Sequence, residues 1–292
     1  MRVLMVGSRG QVGSLLASQL LQADFETKAL NSQELDISSK ESVLSWQSWK
    51  PELIINAAAY TAVDLAESES EKAYAINEGG VKNLLLLASL CNCPLFNIST
   101  DYVFDGSSAQ PYVESDSVSP LGIYGQSKRA GELQLELSGQ SFINIRTSWV
   151  FGENGNNFVK TMLRLAEQRD SLSVVADQVG CPTYAGDIAA ALVSLADRLR
   201  VGKEMHWGHF NFSGSEVVSW YGFAQYIFQQ AGLAGLISRE PAVSPITTKE
   251  YPTAAERPGY SVLSTAKIRE LYGVEASDWR LAISELMPKL KR

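Results

Sequence analysis

Short apolar runs alternate with stretches of helical periodicity over the first 150 residues of the chain. The apolar runs predict strands at residues 2–6, 25–30, 53–56, 94–99 and 142–147. Between them, apolar positions recur at helical spacing in residues 11–23, 40–49, 68–91 and 120–137. Because most of these strands are largely apolar, both faces of their sheet should be covered, which is typical of parallel βαβ units.

The second half of the chain has a less regular pattern. Helices are predicted near residues 158–167, 187–199, 219–230, 264–271 and 279–290, and short strands near 173–176 and 209–212. We therefore predict an α/β fold, a Rossmann-type doubly wound parallel sheet formed by residues 1–150 with a smaller α/β lobe beside it. Segments near 155–176 and 209–213 should return to the sheet, and the smaller lobe should comprise residues 177–208 and 214–292.

A long polar stretch separates the fourth predicted strand from the helix that follows it. Residues 101–118 are rich in Asp, Gly, Ser and Pro. Loops of this length in a compact domain are usually functional or disordered. Ser119 and Pro120 are expected to begin the next helix, as its N-cap and its first helical residue.

Glycines follow the first strand at a spacing that predicts an anion site. Gly7, Gly10 and Gly13 lie in the run GSRGQVG, between an apolar strand and an amphipathic helix. Glycine permits a tight turn and a close approach of the backbone to a pyrophosphate, and the helix N-terminus binds the anion. We predict that a dinucleotide binds to Gly7, Arg9, Gly10, Gln11, Val12 and Gly13.

The end of the second strand bears on the choice of dinucleotide. Dinucleotide folds usually place an acidic residue there to hold the ribose hydroxyls, whereas this chain has Asn31. Arg9 can pair with a 2′-phosphate that Asn31 does not repel, so NADPH is the predicted cofactor, with NADH possible; otherwise Arg9 is a solvated loop residue. Asp36 and Ile37 should lie beneath the adenine, although Asp36 could equally be the N-cap of the next helix.

Tyr124 and Lys128 form a YxxxK pair on one face of the helix after the long loop. A neighbouring ammonium lowers a tyrosine pKa from its usual value of about 10, so Tyr124 is expected to transfer a proton near neutral pH. Thr100 ends the fourth strand, at the sheet edge where doubly wound folds bind ligands, and can donate a hydrogen bond to a substrate oxygen. Thr100, Tyr124 and Lys128 are the predicted catalytic residues.

Composition narrows the range of partners. The 292 residues are 45% apolar and 20% charged, and the net charge is −7. That composition is typical of a globular protein and gives no electrostatic footprint for nucleic acid or an anionic membrane. No signal peptide and no apolar run of about 20 residues is present, so a cytoplasmic protein is expected. Cys91, Cys93 and Cys181 are predicted to be buried thiols. The spacing of these cysteines and of His206 and His209 predicts no metal site.

The glycine loop, Thr100, Tyr124 and Lys128 together resemble the extended short-chain dehydrogenase/reductases. Further segments are similar to one family within them, the dTDP-4-dehydrorhamnose reductases. These segments are NAAAYTAVDLAE from Asn56, STDYVFDG from Ser99, RTSWVF from Arg146, GNNF from Gly155, DQ-G-PT from Asp177 and RP followed by Ser261 and Leu263. The similarity spans nearly the whole chain.

The resemblance implies an NAD(P)H-dependent oxidoreductase that reduces the C4 keto group of dTDP-4-dehydro-L-rhamnose, giving dTDP-L-rhamnose for cell-surface polysaccharides such as O-antigen lipopolysaccharide. The smaller lobe would then bind the nucleotide sugar. The resemblance implies cofactor contacts from Ala59, Tyr60, Thr61, Tyr124 and Lys128. It also implies substrate contacts from Thr100, Asp101, Tyr102, Trp149 and Arg257, with a core tryptophan as the alternative for Trp149.

Other interpretations stay open at this point. The chain could reduce a different dTDP-4-keto-6-deoxyhexose, or it could be a non-catalytic NADP-binding regulatory subunit such as the one attached to a methionine adenosyltransferase. Thr100, Tyr124 and Lys128 favour an enzyme. An epimerase or dehydratase would need a further acid/base pair, and Asp101 is followed by Tyr102 rather than by Glu.

One departure from the family concerns assembly. Some members dimerise through a magnesium site that uses a glutamate two residues after the third glycine, and this chain has Leu15 there. The second matching segment reads YAGD at residues 184–187. We therefore predict a monomer or a homodimer without a magnesium bridge.

Overall fold

The computed structural model describes residues 1–290 and has a six-stranded sheet at its centre. The strands are β1 (Arg2–Val6), β2 (Glu26–Leu30), β3 (Leu53–Asn56), β4 (Leu95–Thr100), β5 (Phe142–Thr147), β6 (Val150–Phe151), β7 (Ser171–Val175), β8 (Val179–Gly180), β9 (Thr183–Tyr184), β10 (Gly208–Asn211), β11 (Val218–Ser219) and β12 (Ala242–Ile246). The sheet order is β10-β5-β4-β3-β1-β2, and all its neighbouring strands are parallel. This confirms the predicted α/β class, with a topological switch point between β1 and β3.

Helices cover both faces of this sheet. They are α1 (Gln11–Gln22), α2 (Lys40–Leu44), α3 (Val63–Ala66), α4 (Ser70–Tyr74), α5 (Gly80–Cys91), α6 (Ile123–Leu137), α7 (Phe158–Ala166), α8 (Ala185–Arg200), α9 (Trp220–Leu233), α10 (Ala266–Tyr272) and α11 (Trp279–Leu286). α1 and α8 pack on one face, and α2 and α5 on the other. Over residues 1–290, no helix is both long enough and apolar enough to cross a membrane.

A second core lies outside the sheet and defines the smaller lobe. Phe151, Phe223 and Trp279 are buried there, among side chains of α7, α9, α11 and β7. β7 pairs with β12 in this lobe, so the segment predicted near 155–176 does not return to the main sheet.

The boundary between the two parts differs from the prediction at a further helix. α8 lies within the stretch 177–208, which was assigned to the smaller lobe, yet Ile188 and Leu192 are buried with Leu16 of α1 against the sheet. The apolar face of α8 therefore belongs to the sheet core. The segment near 209–213 does return to the sheet, as β10.

Helix α6, which carries Tyr124 and Lys128, begins later than Ser119 and Pro120 suggested, so that prediction is wrong. Its first residue is Ile123 and its N-cap is Gly122, which has no side chain to cap the helix. The Ile123 N–H instead donates to Glu67 Oε1 at 2.8 Å, and the Ser119 N–H donates to the Val103 carbonyl. A distant carboxylate replaces the local cap.

The helix predicted over 68–91 is interrupted by a wider turn. α4 continues through a π-helical stretch, Ala75–Gly79, into α5. Such π-helical turns are rare and occur frequently at functional sites. The predicted helix 40–49 is likewise shorter, because α2 ends at Leu44 and a separate 3₁₀ turn, Gln47–Trp49, follows.

A row of asparagines crosses the middle of the sheet. Asn56, Asn97 and Asn144 face one another in register on β3, β4 and β5. Asn56 Nδ2 donates to Asn97 Oδ1 at 2.8 Å, and Asn97 Nδ2 donates to Asn144 Oδ1 at 2.7 Å. Each carboxamide in this asparagine row is buried and hydrogen-bonded, as buried polar groups must be.

Candidate active site

The glycine loop forms a turn that only glycine can make. Gly7 has a φ of +86°, and a Cβ on it would lie 2.5 Å from the backbone of Ala57. A Cβ on Gly13 would overlap with the Gly7 carbonyl oxygen, so α1 packs directly on the loop. Gly10 is the exposed N-cap of α1, without a capping side chain and without an acidic residue in the first turn. An uncapped, open helix N-terminus fits a pyrophosphate.

The other loop residues differ in what they contact. Val12 is almost fully buried in the sheet core, so its side chain packs beneath the loop. Gln11 Oε1 accepts a hydrogen bond from Asn157 Nδ2 at 3.0 Å, which links the loop to the segment before α7. Arg9 is exposed, and its Nη1 lies 3.4 Å from Gln33 Oε1. The predicted cofactor contacts of these residues stay predictions.

A tight turn follows β2, and we call residues 31–35 the β2 turn. The Asn31 N–H and Nδ2 both donate to Glu34 Oε2, at 2.9 and 2.5 Å. Asn31 Oδ1 accepts from the Gln33 N–H at 2.9 Å. The turn therefore places a carboxylate beside Asn31, where the sequence pattern indicated only an amide.

Asp36 and Ile37 follow the β2 turn, and their side chains have different surroundings. Asp36 Oδ1 accepts hydrogen bonds from the Ser38 N–H and hydroxyl, while Ser39 is the N-cap of α2, so the N-cap alternative for Asp36 is wrong. Ile37 is buried, and a Cβ on Gly80 of α5 would lie 2.5 Å from its Cδ1. Their place beneath an adenine stays a prediction.

Ala59, Tyr60 and Thr61 follow β3 at the switch point, opposite the glycine loop. The Tyr60 N–H donates to Asn77 Oδ1 at 2.9 Å, and Asn77 Nδ2 donates to the Tyr60 carbonyl and to Ser127 Oγ, at 3.2 and 2.9 Å. Ser127 belongs to α6. Asn77, in the π-helical turn and missed by the sequence analysis, thus joins the predicted cofactor segment to the helix that carries Tyr124.

Four residues meet where β4 ends against α6: Thr100, Asp101, Tyr124 and Lys128, which we call the Thr100 corner. Thr100 Oγ1 donates to Asp101 Oδ1 at 3.0 Å, and Lys128 Nζ donates to the Ile98 carbonyl at 2.7 Å. A Cβ on Gly125 would overlap with the Tyr102 carbonyl oxygen, so glycine lets α6 approach this corner closely. The structure brings the predicted catalytic residues together.

Burial has the largest effect on the pKa values of the side chains in the Thr100 corner. It raises the pKa of Tyr124 to about 12 and that of Asp101 to about 6, in each case against a smaller lowering by the Thr100 side chain. It lowers the pKa of Lys128 to about 8, which the charge of Glu132 partly offsets. The expected lowering of the Tyr124 pKa by Lys128 is not found: burial raises that pKa, and the Lys128 ammonium donates to the Ile98 carbonyl.

Two of the predicted substrate residues lie beside this corner and one is held by an ion pair. The ring of Tyr102 meets that of Tyr124 edge to face, with centroids 5.4 Å apart. Arg257 donates two hydrogen bonds to the Asp64 carboxylate, at 2.9 and 3.2 Å, which fixes the direction of the guanidinium and offsets its charge. Asp64 lies in the matched segment after β3, but its role as a partner of Arg257 was not foreseen.

Trp149 adopts a conformation that is unusual for a large residue. Its φ is +48°, in the left-handed region, and its ring stacks on that of Trp220 with centroids 3.5 Å apart. A Cβ on Gly180 would lie 2.6 Å from the Trp149 ring. Both tryptophans are partly buried at the edge of the smaller-lobe core. Left-handed backbone at a non-glycine residue often marks a functional site.

Over residues 1–290, one group of side chains has metal-ligand spacing: Glu132, Glu136 and His209. His209 Nε2 lies 3.0 Å from Glu136 Oε1, so the fold gives this histidine a carboxylate neighbour that is far from it in sequence. Arg146 pairs with Glu132 at 2.8 Å, and Arg129 pairs with Glu136. Because both carboxylates already have a guanidinium partner, the group fits a buried ion-pair network better than a cation site.

Leu15 and the segment 184–187 occupy the two positions compared above with a magnesium bridge. Leu15 packs against the sheet core, and Asp187 of α8 accepts a hydrogen bond from Ser277 Oγ at 2.6 Å. A leucine offers no metal ligand at the first position. The absence of a magnesium-bridged dimer stays a prediction.

Comparison with known proteins gives one consistent result. The family model described as RmlD substrate binding domain matches residues 1–292. A dTDP-4-dehydrorhamnose reductase of Aggregatibacter actinomycetemcomitans is 48% identical over 98% of both chains. Crystal structures of dTDP-4-dehydrorhamnose reductases from Clostridium acetobutylicum and, in complex with NADP, Bacillus anthracis are 36% and 35% identical, with TM-scores of 0.92 and 0.90 and coverage of 100% and 99% of both chains.

Proposed function

The chain belongs to the RmlD family of dTDP-4-dehydrorhamnose reductases, and we propose that it reduces the C4 keto group of dTDP-4-dehydro-L-rhamnose to give dTDP-L-rhamnose. NADPH is the proposed reductant, with NADH as a second. The observation that carries this proposal is the Thr100 corner, which lies at the carboxyl edge of the sheet, near a glycine loop shaped for a pyrophosphate.

The cofactor would be held by backbone more than by charge. Gly7, Gly10 and Gly13 leave room for the pyrophosphate, and the first turn of α1 offers it free N–H groups. Arg9 and the β2 turn would face the adenosine ribose, and the segment 59–61 and Lys128 would line the nicotinamide end. When bound, the reduced dinucleotide supplies a hydride to the C4 carbon of the sugar.

Tyr124 is the proposed proton donor to the C4 oxygen. Its pKa of about 12 keeps it protonated at neutral pH, so it can donate while the oxygen gains negative charge. The Thr100 hydroxyl would donate a hydrogen bond to the same oxygen and stabilise that charge. The Lys128 ammonium, buried nearby, would stabilise the tyrosinate left after proton transfer.

The sugar and its diphosphate need separate contacts. The partly exposed ring of Trp149 offers an apolar face for the deoxysugar, and its stacking on Trp220 fixes the ring plane. Arg257, with Tyr102, is the proposed contact for the anionic part of the substrate. Because Asp64 already pairs with Arg257, the guanidinium would contact that anion through N–H groups of fixed direction rather than as a free charge.

A second candidate function is reduction of another dTDP-4-keto-6-deoxyhexose. This reaction would use the same proton-transfer residues and would differ only in the sugar. The regulatory-subunit interpretation gains no support from the site, because Thr100, Tyr124 and Lys128 are all present and adjacent. We propose that the enzyme acts in the cytoplasm, as a monomer or as a homodimer without a magnesium bridge.

The direct test is oxidation of NADPH with dTDP-4-dehydro-L-rhamnose generated enzymatically from its precursor. We expect stoichiometric oxidation and a product that NMR identifies as dTDP-L-rhamnose. Oxidation of NADPH with another dTDP-4-keto-6-deoxyhexose, but not with dTDP-4-dehydro-L-rhamnose, would support the second candidate instead. Binding of NADPH without oxidation by any dTDP-4-keto-6-deoxyhexose would contradict the proposal and favour a regulatory subunit.

A further inference from the structure

Two opposite charges stand at the outer edge of the predicted adenosine site. Arg9 lies in the glycine loop and Glu34 in the β2 turn, and both are exposed. The Gly7 and Ser8 N–H groups donate to the Leu30 carbonyl, at 2.9 and 3.1 Å, so the loop and the turn are joined by backbone. Arg9 also approaches Gln33, the neighbour of Glu34. The two charges therefore flank one short stretch of chain.

Glu34 is held in place more firmly than an exposed glutamate usually is. Its Oε2 accepts two hydrogen bonds from Asn31, one from the backbone N–H and one from Nδ2. The Glu34 and Leu35 N–H groups both donate to the Asn31 carbonyl, which closes the turn. Over residues 1–290, Glu34 forms no ion pair within 4.0 Å. Its charge is therefore oriented but not neutralised.

Asn31 occupies the position at which dinucleotide folds hold the adenosine ribose. A carboxylate bonded to Asn31 lies next to that ribose. A carboxylate accepts hydrogen bonds from the ribose hydroxyls of NADH, but it repels the 2′-phosphate that NADPH carries at the same place. Arg9 acts in the opposite sense, because a guanidinium attracts that phosphate.

We propose that Glu34 is a specificity-determining residue that disfavours NADPH and keeps NADH competitive, in opposition to Arg9. The inference rests on the proposed function in one respect only, that a nicotinamide dinucleotide binds at the glycine loop. It adds to that function a residue four positions beyond the end of β2. It assigns dual cofactor use to a balance of two charges rather than to a neutral ribose site.

The test measures binding of NADPH and NADH to the full chain by calorimetry, without sugar substrate, in wild type and in Glu34→Gln. Glutamine keeps an oxygen that can accept from the Asn31 N–H, so the β2 turn is retained while the charge is removed. We expect the Kd of NADPH to fall about fivefold relative to that of NADH at low ionic strength, the size typical of one exposed charge. The NADPH affinity of the variant should also become more salt-dependent, because Arg9 is then unopposed.

The matched control is Glu26→Gln, which removes the same charge at the other end of β2 from an exposed position. It should leave the NADPH to NADH ratio within twofold of wild type. An unchanged ratio in Glu34→Gln, or an equal change in Glu26→Gln, would overturn the proposal. Glu34→Ala, measured with its thermal midpoint, repeats the test if the glutamine variant loses stability.

These outcomes are separable from the proposed function. A changed Kd ratio with no turnover of dTDP-4-dehydro-L-rhamnose would contradict the reductase assignment but support the role of Glu34. Turnover with an unchanged ratio would leave the reductase standing and reject the role of Glu34. Failure of both dinucleotides to bind would reject both.

Discussion

The Thr100 corner contains a carboxylate and a cation, and the β2 turn places a carboxylate beside the glycine loop that carries Arg9. The two regions differ in how far their charges are exposed to solvent. Asp101 and Lys128 are 3% and 4% exposed, and burial raises the pKa of one to about 6 and lowers that of the other to about 8. Glu34 and Arg9 are exposed. In the corner, desolvation decides which groups carry charge, whereas at the turn full charges act through solvent and are screened by salt.

The difference predicts that substitutions in the Thr100 corner have large effects and that those at the turn have small ones. Tyr124→Phe should have the largest effect on catalysis, because it removes the proposed proton donor alone. We expect turnover to fall about 100-fold or more while the Kd of NADPH changes less than about threefold. Steady-state kinetics and calorimetry check the two parts. Tyr102→Phe removes a hydroxyl from the adjacent ring, a proposed substrate contact, and should raise KM while it leaves turnover nearly unchanged. An equal loss of turnover there would contradict the assignment of Tyr124.

Asp101→Asn should raise the stability of the protein while it lowers the activity. Since the pKa of Asp101 is raised from 3.8 to about 6, the folded protein holds this proton more tightly than the unfolded chain. This stabilisation is present below pH 4 and is lost as the pH rises through 6, which amounts to about 3 kcal/mol. We therefore expect the asparagine variant to unfold at higher urea concentration than wild type at pH 8, while its turnover is lower.

Asp105→Asn provides the control of opposite sign for that measurement. Hydrogen bonds from Ser107 and Tyr112 hold the pKa of Asp105 below its usual value, so its ionised form stabilises the folded state at neutral pH. That variant should be destabilised at pH 8, and less so at acid pH. If both variants shift stability in the same direction, burial is not what sets the titration of Asp101.

A third prediction concerns the alkaline side of the pH profile. The Lys128 ammonium loses its proton near pH 8, so kcat/KM should decline above that pH, by up to about tenfold per unit. Lys128→Arg keeps a positive charge at all accessible pH values and should abolish the decline, even though its absolute activity is lower. A decline that persists in the arginine variant would have to come from another group.

Arg9→Gln should have the smallest effect on cofactor binding, and it tests the exposed charges beside the β2 turn. We expect the Kd of NADPH to rise about three- to fivefold at low salt and less than twofold in concentrated salt, because exposed charges are screened. The Kd of NADH should be unchanged. A large, salt-independent loss for both dinucleotides would show that Arg9 supports the loop rather than the phosphate.

Much of the fold could be predicted because, in the sheet, the pattern of apolar residues in the sequence matches the positions that are buried. β1 and β3 are continuous apolar runs, and each is buried on both faces, so their limits were clear from the sequence. The start of α6 could not be found in this way, since Glu67, far away in sequence, bonds the Ile123 N–H. Two-residue strands such as β6 and β9 have no period to detect, and α8 has an amphipathic pattern that fits either core.

The candidate site shows the same limit. Residue types and spacing indicated Thr100, Tyr124 and Lys128 correctly as neighbours, because strand ends and helix faces follow from the sequence. The direction of a pKa shift depends on what covers a group, and the sequence did not contain that information for Tyr124. Glu34 was missed because the fold pattern points to the residue directly after the strand, Asn31, whereas the turn brings a later side chain back onto that residue.

The asparagine row has a consequence for how the chain avoids misfolding. Parallel strands can pair in several shifted alignments of similar backbone energy, but only one brings Asn56, Asn97 and Asn144 side by side. A slip of one residue would turn Asn97 to the opposite face, and a slip of two between β3 and β4 would place Ile54 or Leu95 opposite an unsatisfied amide. Competing alignments are thereby penalised during assembly, and Thr100, three residues beyond Asn97, arrives opposite Thr147 at the correct edge of the sheet.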